Sequence, residues 1–137
     1  MRRPLRIAQI GHPILRQPTR MLTHEELLSE EIQSFLDDLV ETMREANGAG
    51  LAANQVYQSI RICTVEVRNN PRYPYRPNIP LTILVNPVLT PASEETFVNY
   101  EGCLSVPTCE VKYGAIVRSM LRLWIVRAIR SPPWSKA

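Results

Sequence analysis

The apolar positions of this chain keep two different rhythms, and the change between them divides it into elements. Leu27, Leu28, Ile32, Phe35, Leu36, Leu39, Val40 and Met43 recur at steps of three and four. That period puts them on one face of an α-helix running to about Ala46. Asp37, Asp38, Glu41, Arg44 and Glu45 fall on the opposite face and read as its solvated side. Thr23 followed by Glu26 forms a capping box that predicts the helix start, and Asn47-Gly48-Ala49-Gly50 supplies residues that tolerate positive φ at its end. The rhythm then changes. Ile60 to Val67 is β-branched and free of Gly and Pro, and reads as a strand. Leu81 to Leu89 and Thr96 to Tyr100 predict two more, with Asn86-Pro87 forcing a bulge or an edge position because proline donates nothing to a ladder. Leu5 to Arg20 is expected to be extended, with a turn at Gly11-His12-Pro13. Asn69 to Pro80 holds Pro71, Pro74, Pro77 and Pro80 among Arg72, Tyr73, Tyr75 and Arg76. It reads as a connecting loop, with a polyproline ligand or a basic-aromatic surface as the alternative. One long helix and several antiparallel strands give an α+β fold.

Composition narrows the class. At 137 residues the chain makes one domain, and 45% hydrophobic with 21% charged residues describes a soluble globular protein. No apolar run approaches the roughly 18 residues of a membrane span, and the basic start, Met1 to Ile7, lacks the apolar core of a secretory signal. Cys63, Cys103 and Cys109 make an odd count without framework spacing, which points to a reducing, cytoplasmic setting. The net charge of +3 is unevenly placed: residues 1–110 carry 10 basic and 13 acidic residues, and residues 111–137 carry 6 basic and no acidic ones. A DNA partner is therefore not expected, since the basic excess belongs to the tail alone.

The chemistry gathers in two short stretches. Glu101-Gly102-Cys103-Leu104-Ser105 frames one thiol with small and apolar neighbours, a candidate metal ligand or nucleophile. Gly48-Ala49-Gly50-Leu51-Ala52-Ala53-Asn54-Gln55 reads either as a helix stop with a small-residue turn or as backbone lining a site. Cys63 reads as a small core residue, and His12 as a hydrogen-bonded structural histidine in its turn. His24-Glu25-Glu26 fails as a metal-binding helix motif, since the residue four after His24 is Leu28.

Taken together, the two stretches resemble the peptide deformylases, whose patterns G-x-G-L-A-A-x-Q and E-G-C-L-S they match at Gly48 to Gln55 and Glu101 to Ser105. The likeness covers about Leu5 to Pro107. It implies hydrolytic removal of the formyl group from the N-terminal Met of nascent chains near the ribosome, with a divalent metal (Fe2+ in the family, Zn or Ni as alternatives). By the same resemblance Cys103 is the thiolate ligand, Gln55 and the Leu104 N–H form the oxyanion hole, and Ala49, Gly50 and Gly102 hold the substrate. The family's third pattern, H-E-x-x-H, would bring two His ligands and the catalytic Glu on a C-terminal helix. This chain has only His12 and His24.

The expectation is therefore a deformylase-like domain at 1–110 lacking its catalytic helix, followed by a divergent basic tail at 111–137. The tail reads as translation in a shifted frame, with a basic amphipathic strand or helix, or a segment on an anionic membrane surface, as alternatives. Such a chain would be truncated or frameshifted, would be inactive as it stands and would not retain the metal. It would also leave apolar surface open to self-association. The other function classes are a non-catalytic binding module for N-terminal peptides and a basic-tail protein associated with ribosomal RNA or acidic lipid.

Overall fold

The computed structural model describes residues 4–71, 74–75, 77–116 and 119–126. Arg72, Tyr73 and Arg76 of the proline-rich loop, residues 127–137 of the tail and the Cys109 side chain lie outside what is described. Two helices, α1 (His24–Leu28) and α2 (Glu30–Glu45), precede six strands: β1 (Gly50–Ala52), β2 (Ile62–Val67), β3 (Ile79–Pro91), β4 (Thr96–Cys103), β5 (Val106–Ile116) and β6 (Ser119–Val126). β1-β2-β3-β6 form one antiparallel sheet, and β4-β5 form a separate antiparallel pair. The mixed α+β architecture matches the sequence expectation. No helix among the described residues is long and apolar enough to cross a membrane.

The capping box forms as expected, with Thr23 Oγ1 accepting from the Glu26 N–H and the Glu26 carboxylate from the Thr23 N–H. The helix it opens is shorter than the periodicity predicts. Ser29 sits in extended backbone (φ −63°, ψ 146°), ends α1 and starts α2. Its hydroxyl donates to Glu26 O at 2.6 Å and accepts from the Ile32 N–H at 3.3 Å, so one serine serves both helix ends. Leu28 pays for this break and stands 65% exposed.

The predicted stripe otherwise faces inward. Leu36, Leu39, Val40 and Met43 of α2 are buried together with Leu22, Leu27, Leu51, Ala53, Val56, Ile60, Ile62, Ile83 and Val85 in one cluster. Each large side chain so buried contributes about 1.5–3 kcal/mol relative to exposure. Thr42, also buried, accepts from the Leu5 N–H at 2.9 Å and donates to Asp38 O at 2.7 Å, tying the N-terminal segment to the helix.

Asn86-Pro87 makes the anticipated bulge: the β3·β6 register shifts between Val85 and Val88. Asn86 holds a left-handed φ of 52°. Its side chain accepts from the Leu22 N–H and donates to Leu22 O, both at 2.8 Å. The amide thus behaves as a one-residue strand partner for a buried loop backbone. β1 was not legible as a strand, because three residues, one of them glycine, carry no alternation. The stretch 119–126, for which strand and helix were both open, is strand β6 on β3.

Asn86→Ala should cost about 2 kcal/mol or more, from two orphaned Leu22 groups and the left-handed backbone. Asn86→Gly should cost about 1 kcal/mol less, since glycine accepts that φ. Urea midpoints of the two variants against the parent measure both terms.

Candidate active site

α2 ends in a turn that aims the chain at the cleft. Asn47 takes φ 53°, its N–H donates to Arg44 O and the Gly48 N–H to Met43 O, both at 3.0 Å, the paired bonds of a Schellman stop. Asn47, not glycine, carries the positive φ. Gly48 is needed for a different reason: a Cβ there would lie 2.7 Å from Leu104 Cδ1. The missing side chain lets two motifs 56 residues apart in sequence touch.

From Gly48 the chain enters β1, an outer strand of the four-stranded sheet, and then a 3-10 turn at Ala53–Val56. This turn folds the Gln55 side chain back, so that Oε1 accepts from the Ala52 N–H at 2.9 Å. The other end of the amide is thereby fixed as the donor: Nε2 donates to Ser105 Oγ at 3.0 Å and stands 3.8 Å from Cys103 Sγ. β4 delivers Cys103 to the surface, and a tight turn through Leu104 and Ser105 opens β5. The segment Ala8 to Ile10 lies across both motifs. Its Ala8 N–H donates to Gln55 O at 2.7 Å and its Ile10 N–H to Ser105 O at 2.8 Å, while Gln9 Nε2 reaches Leu104 O at 3.4 Å.

Ala49, Gly50, Gln55, Gly102, Cys103 and Leu104, all singled out in the sequence, line one cleft of about 120 Å³ together with Gly48. Gly48 also lines an adjoining cavity of about 190 Å³ with Arg44, Asn47, Glu66, Arg68, Asn70 and Pro71. There Arg44 Nε and Nη2 grip the Glu66 carboxylate at 2.8 and 2.9 Å. These two hydrogen bonds hold the Glu66 carboxyl below its ordinary range, and the charges of Arg44 and Arg68 add to them against the opposing effect of burial. Sequence reasoning passed over Ser105 and Gln9. Ser105 stood in the sequence as the last residue of the E-G-C-L-S match, but nothing there gave its hydroxyl a role.

The polypeptide deformylase family model matches residues 4–120. The chain belongs to the peptide deformylase family. It is 41% identical over 101 residues to peptide deformylase 1 of Nitrosomonas europaea, covering 74% of this chain and 56% of that one. It is 44% identical over 103 residues to peptide deformylase 2 of Nostoc sp., covering 75% and 56%. The chain thus spans a little over half the length of these curated relatives. A Met-Ala-Ser-bound class I type b peptide deformylase from Acinetobacter baumannii superposes with a TM-score of 0.79 at 32% identity, covering 90% of this chain and 85% of that one.

The donor set among the described residues does not make up the metal centre that the deformylase resemblance implies. Among the described residues no three His, Cys, Asp or Glu side chains gather to hold an ion. His12 uses Nδ1 to accept from the Ile14 N–H at 3.2 Å and stands edge-on to Tyr57, with ring centroids 5.0 Å apart. His24 is the first residue of α1. Cys63 is half-buried, and burial pushes its thiol pKa up, as befits a core residue rather than a ligand.

Gly48→Ala should destabilise by about 1–2 kcal/mol through overpacking against Leu104, and the cost should largely vanish in a Leu104→Ala background. Thermal melts of the four chains measure the coupling. Because the folded Glu66 value lies below its ordinary 4.5, the Arg44 pair adds stability above that pH and loses it as pH falls through the depressed value. The melting difference between the parent and Glu66→Gln should therefore be present at neutral pH, worth at most about 1 kcal/mol because the Arg44 side of the pair is open to solvent, and shrink on acidification.

Proposed function

We propose that these 137 residues supply the peptide-gripping and oxyanion-binding half of a deformylase site and do not by themselves sustain hydrolysis. The observation that carries this reading is the Gln55 amide, pinned by Ala52 so that its N–H groups face Ser105 and Cys103 at the cleft. A formyl oxygen entering there accepts from Gln55 Nε2 and from the Leu104 N–H, donors set in advance where negative charge would develop. β1 is an outer strand, and an extended N-formyl-methionyl peptide lies along it with its backbone on Ala49 and Gly50 and with Gly102 opposite. The absence of a side chain at Gly50 and Gly102 lets that backbone come close. Nascent chains in the cytoplasm are the corresponding source of such peptides.

Cys103 is the thiolate among the ligands the family pattern asks for. The two histidines lie at positions 12 and 24, and residues 111–137 hold no His, Asp or Glu, so that stretch offers neither imidazole nor a carboxylate base. Loss of a general base alone costs about 10²–10⁴ in rate. One thiolate also leaves a catalytic divalent ion short of the three protein ligands such sites use. Binding without turnover is what the remaining groups support.

Titration of the 137-residue chain with formyl-Met-Ala-Ser should show saturable binding with one site per chain. Release of formate in the presence of ferrous or nickel ion should stay at least about 10²-fold below that of a full-length relative. Turnover within about tenfold of the relative would overturn the inactive reading, and failure to saturate would overturn the binding one.

A further inference from the structure

An amide such as that of Gln55 has one acceptor and two N–H donors in a plane. The acceptor end is taken by the Ala52 N–H at 2.9 Å, which rules out the flipped amide, because a flip would set two donors against each other. That contact fixes which end is nitrogen but leaves the amide free to pivot about it. The second restraint is Ser105 Oγ, 3.0 Å from Nε2. Ser105 is 4% exposed, and its own carbonyl is held by the Ile10 N–H at 2.8 Å, so the hydroxyl sits on fixed backbone where bulk water does not readily replace it.

We propose that Ser105 is a positioning residue for Gln55: its buried hydroxyl takes one Nε2 hydrogen and dedicates the other to whatever acceptor enters the cleft beside Cys103. The other Nε2 hydrogen faces Cys103 Sγ across a long 3.8 Å contact that an entering carbonyl can take over; without the Ser105 hydroxyl the amide loses its second restraint, and Nε2 can close on the sulfur instead. The effect is specific. Ser105 is not among the residues lining the cleft, so it acts on an incoming carbonyl only through the amide. This inference rests on the reading of Gln55 as donor to the formyl oxygen.

The test compares formyl-Met-Ala-Ser with γ-(methylthio)butyryl-Ala-Ser, which lacks the formamido group and adds no charge, by calorimetric titration of the full chain. The parent should favour the formylated peptide by about tenfold, the worth of one well-placed hydrogen bond. Ser105→Ala should cut that preference to about threefold or less while leaving affinity for the unformylated peptide unchanged. In a Gln55→Ala background, where the preference is already lost, Ser105→Ala should add nothing. A loss of affinity shared equally by both peptides, an unchanged preference, or a further loss in the Gln55→Ala background would overturn the positioning role. A parent chain that binds both peptides equally would remove the Gln55 reading itself before any variant is made, and this proposal with it.

Discussion

The N–H groups of Ala8 and Ile10 reach the carbonyls of Gln55 and Ser105 at 2.7 and 2.8 Å, and this pair of bonds sets how far apart the two halves of the cleft can stand. Each half alone is a short loop of small residues with little to define its shape. An extended segment bonded to both acts as a ruler, because the spacing of its own alternate amides is fixed by backbone geometry. The ruler is anchored in turn. Leu5 donates to the buried hydroxyl of Thr42 on α2, so the helix that organises the core also locates the segment that organises the cleft. Gly48 completes the arrangement by letting Leu104 close against the other motif, and Leu104 joins the edge of the main core there.

Much of the fold was legible because its elements announce themselves locally. The α2 stripe, the Thr23–Glu26 box and the β-branched run of β2 each combine propensity with period, and each appears where expected. Ser29 is instructive as an exception. In a sequence it looks like one polar residue in a helical pattern, yet its hydroxyl can satisfy a carbonyl before it and an amide after it, and the backbone takes that option. β1 was hidden for the opposite reason: Gly50-Leu51-Ala52 has almost no side-chain signal and is a strand only because β2 pairs with it in register Gly50 to Val65.

The cleft was legible as a list of residues and not as a mechanism of assembly. Gln55 and Cys103 could be picked out because their motifs match a family pattern, but nothing in the spacing says that Ala52 orients the amide or that Ser105 receives it. Those partners act through a main-chain N–H and a common hydroxyl, which leave little trace in a sequence. Gly48, read either as part of a helix stop or as backbone lining a site, does both and is also a steric necessity against Leu104, while Asn47 takes the left-handed turn. Which glycine serves conformation and which serves contact is decided by what arrives from the far end of the chain.

The Gln9 side chain meets the Leu104 carbonyl across 95 residues of sequence. Closing so wide a loop carries an entropic cost that the backbone bonds on either side of it offset. A ligand that fits the cleft holds segments far apart in the sequence together, so occupancy and global stability are thermodynamically linked.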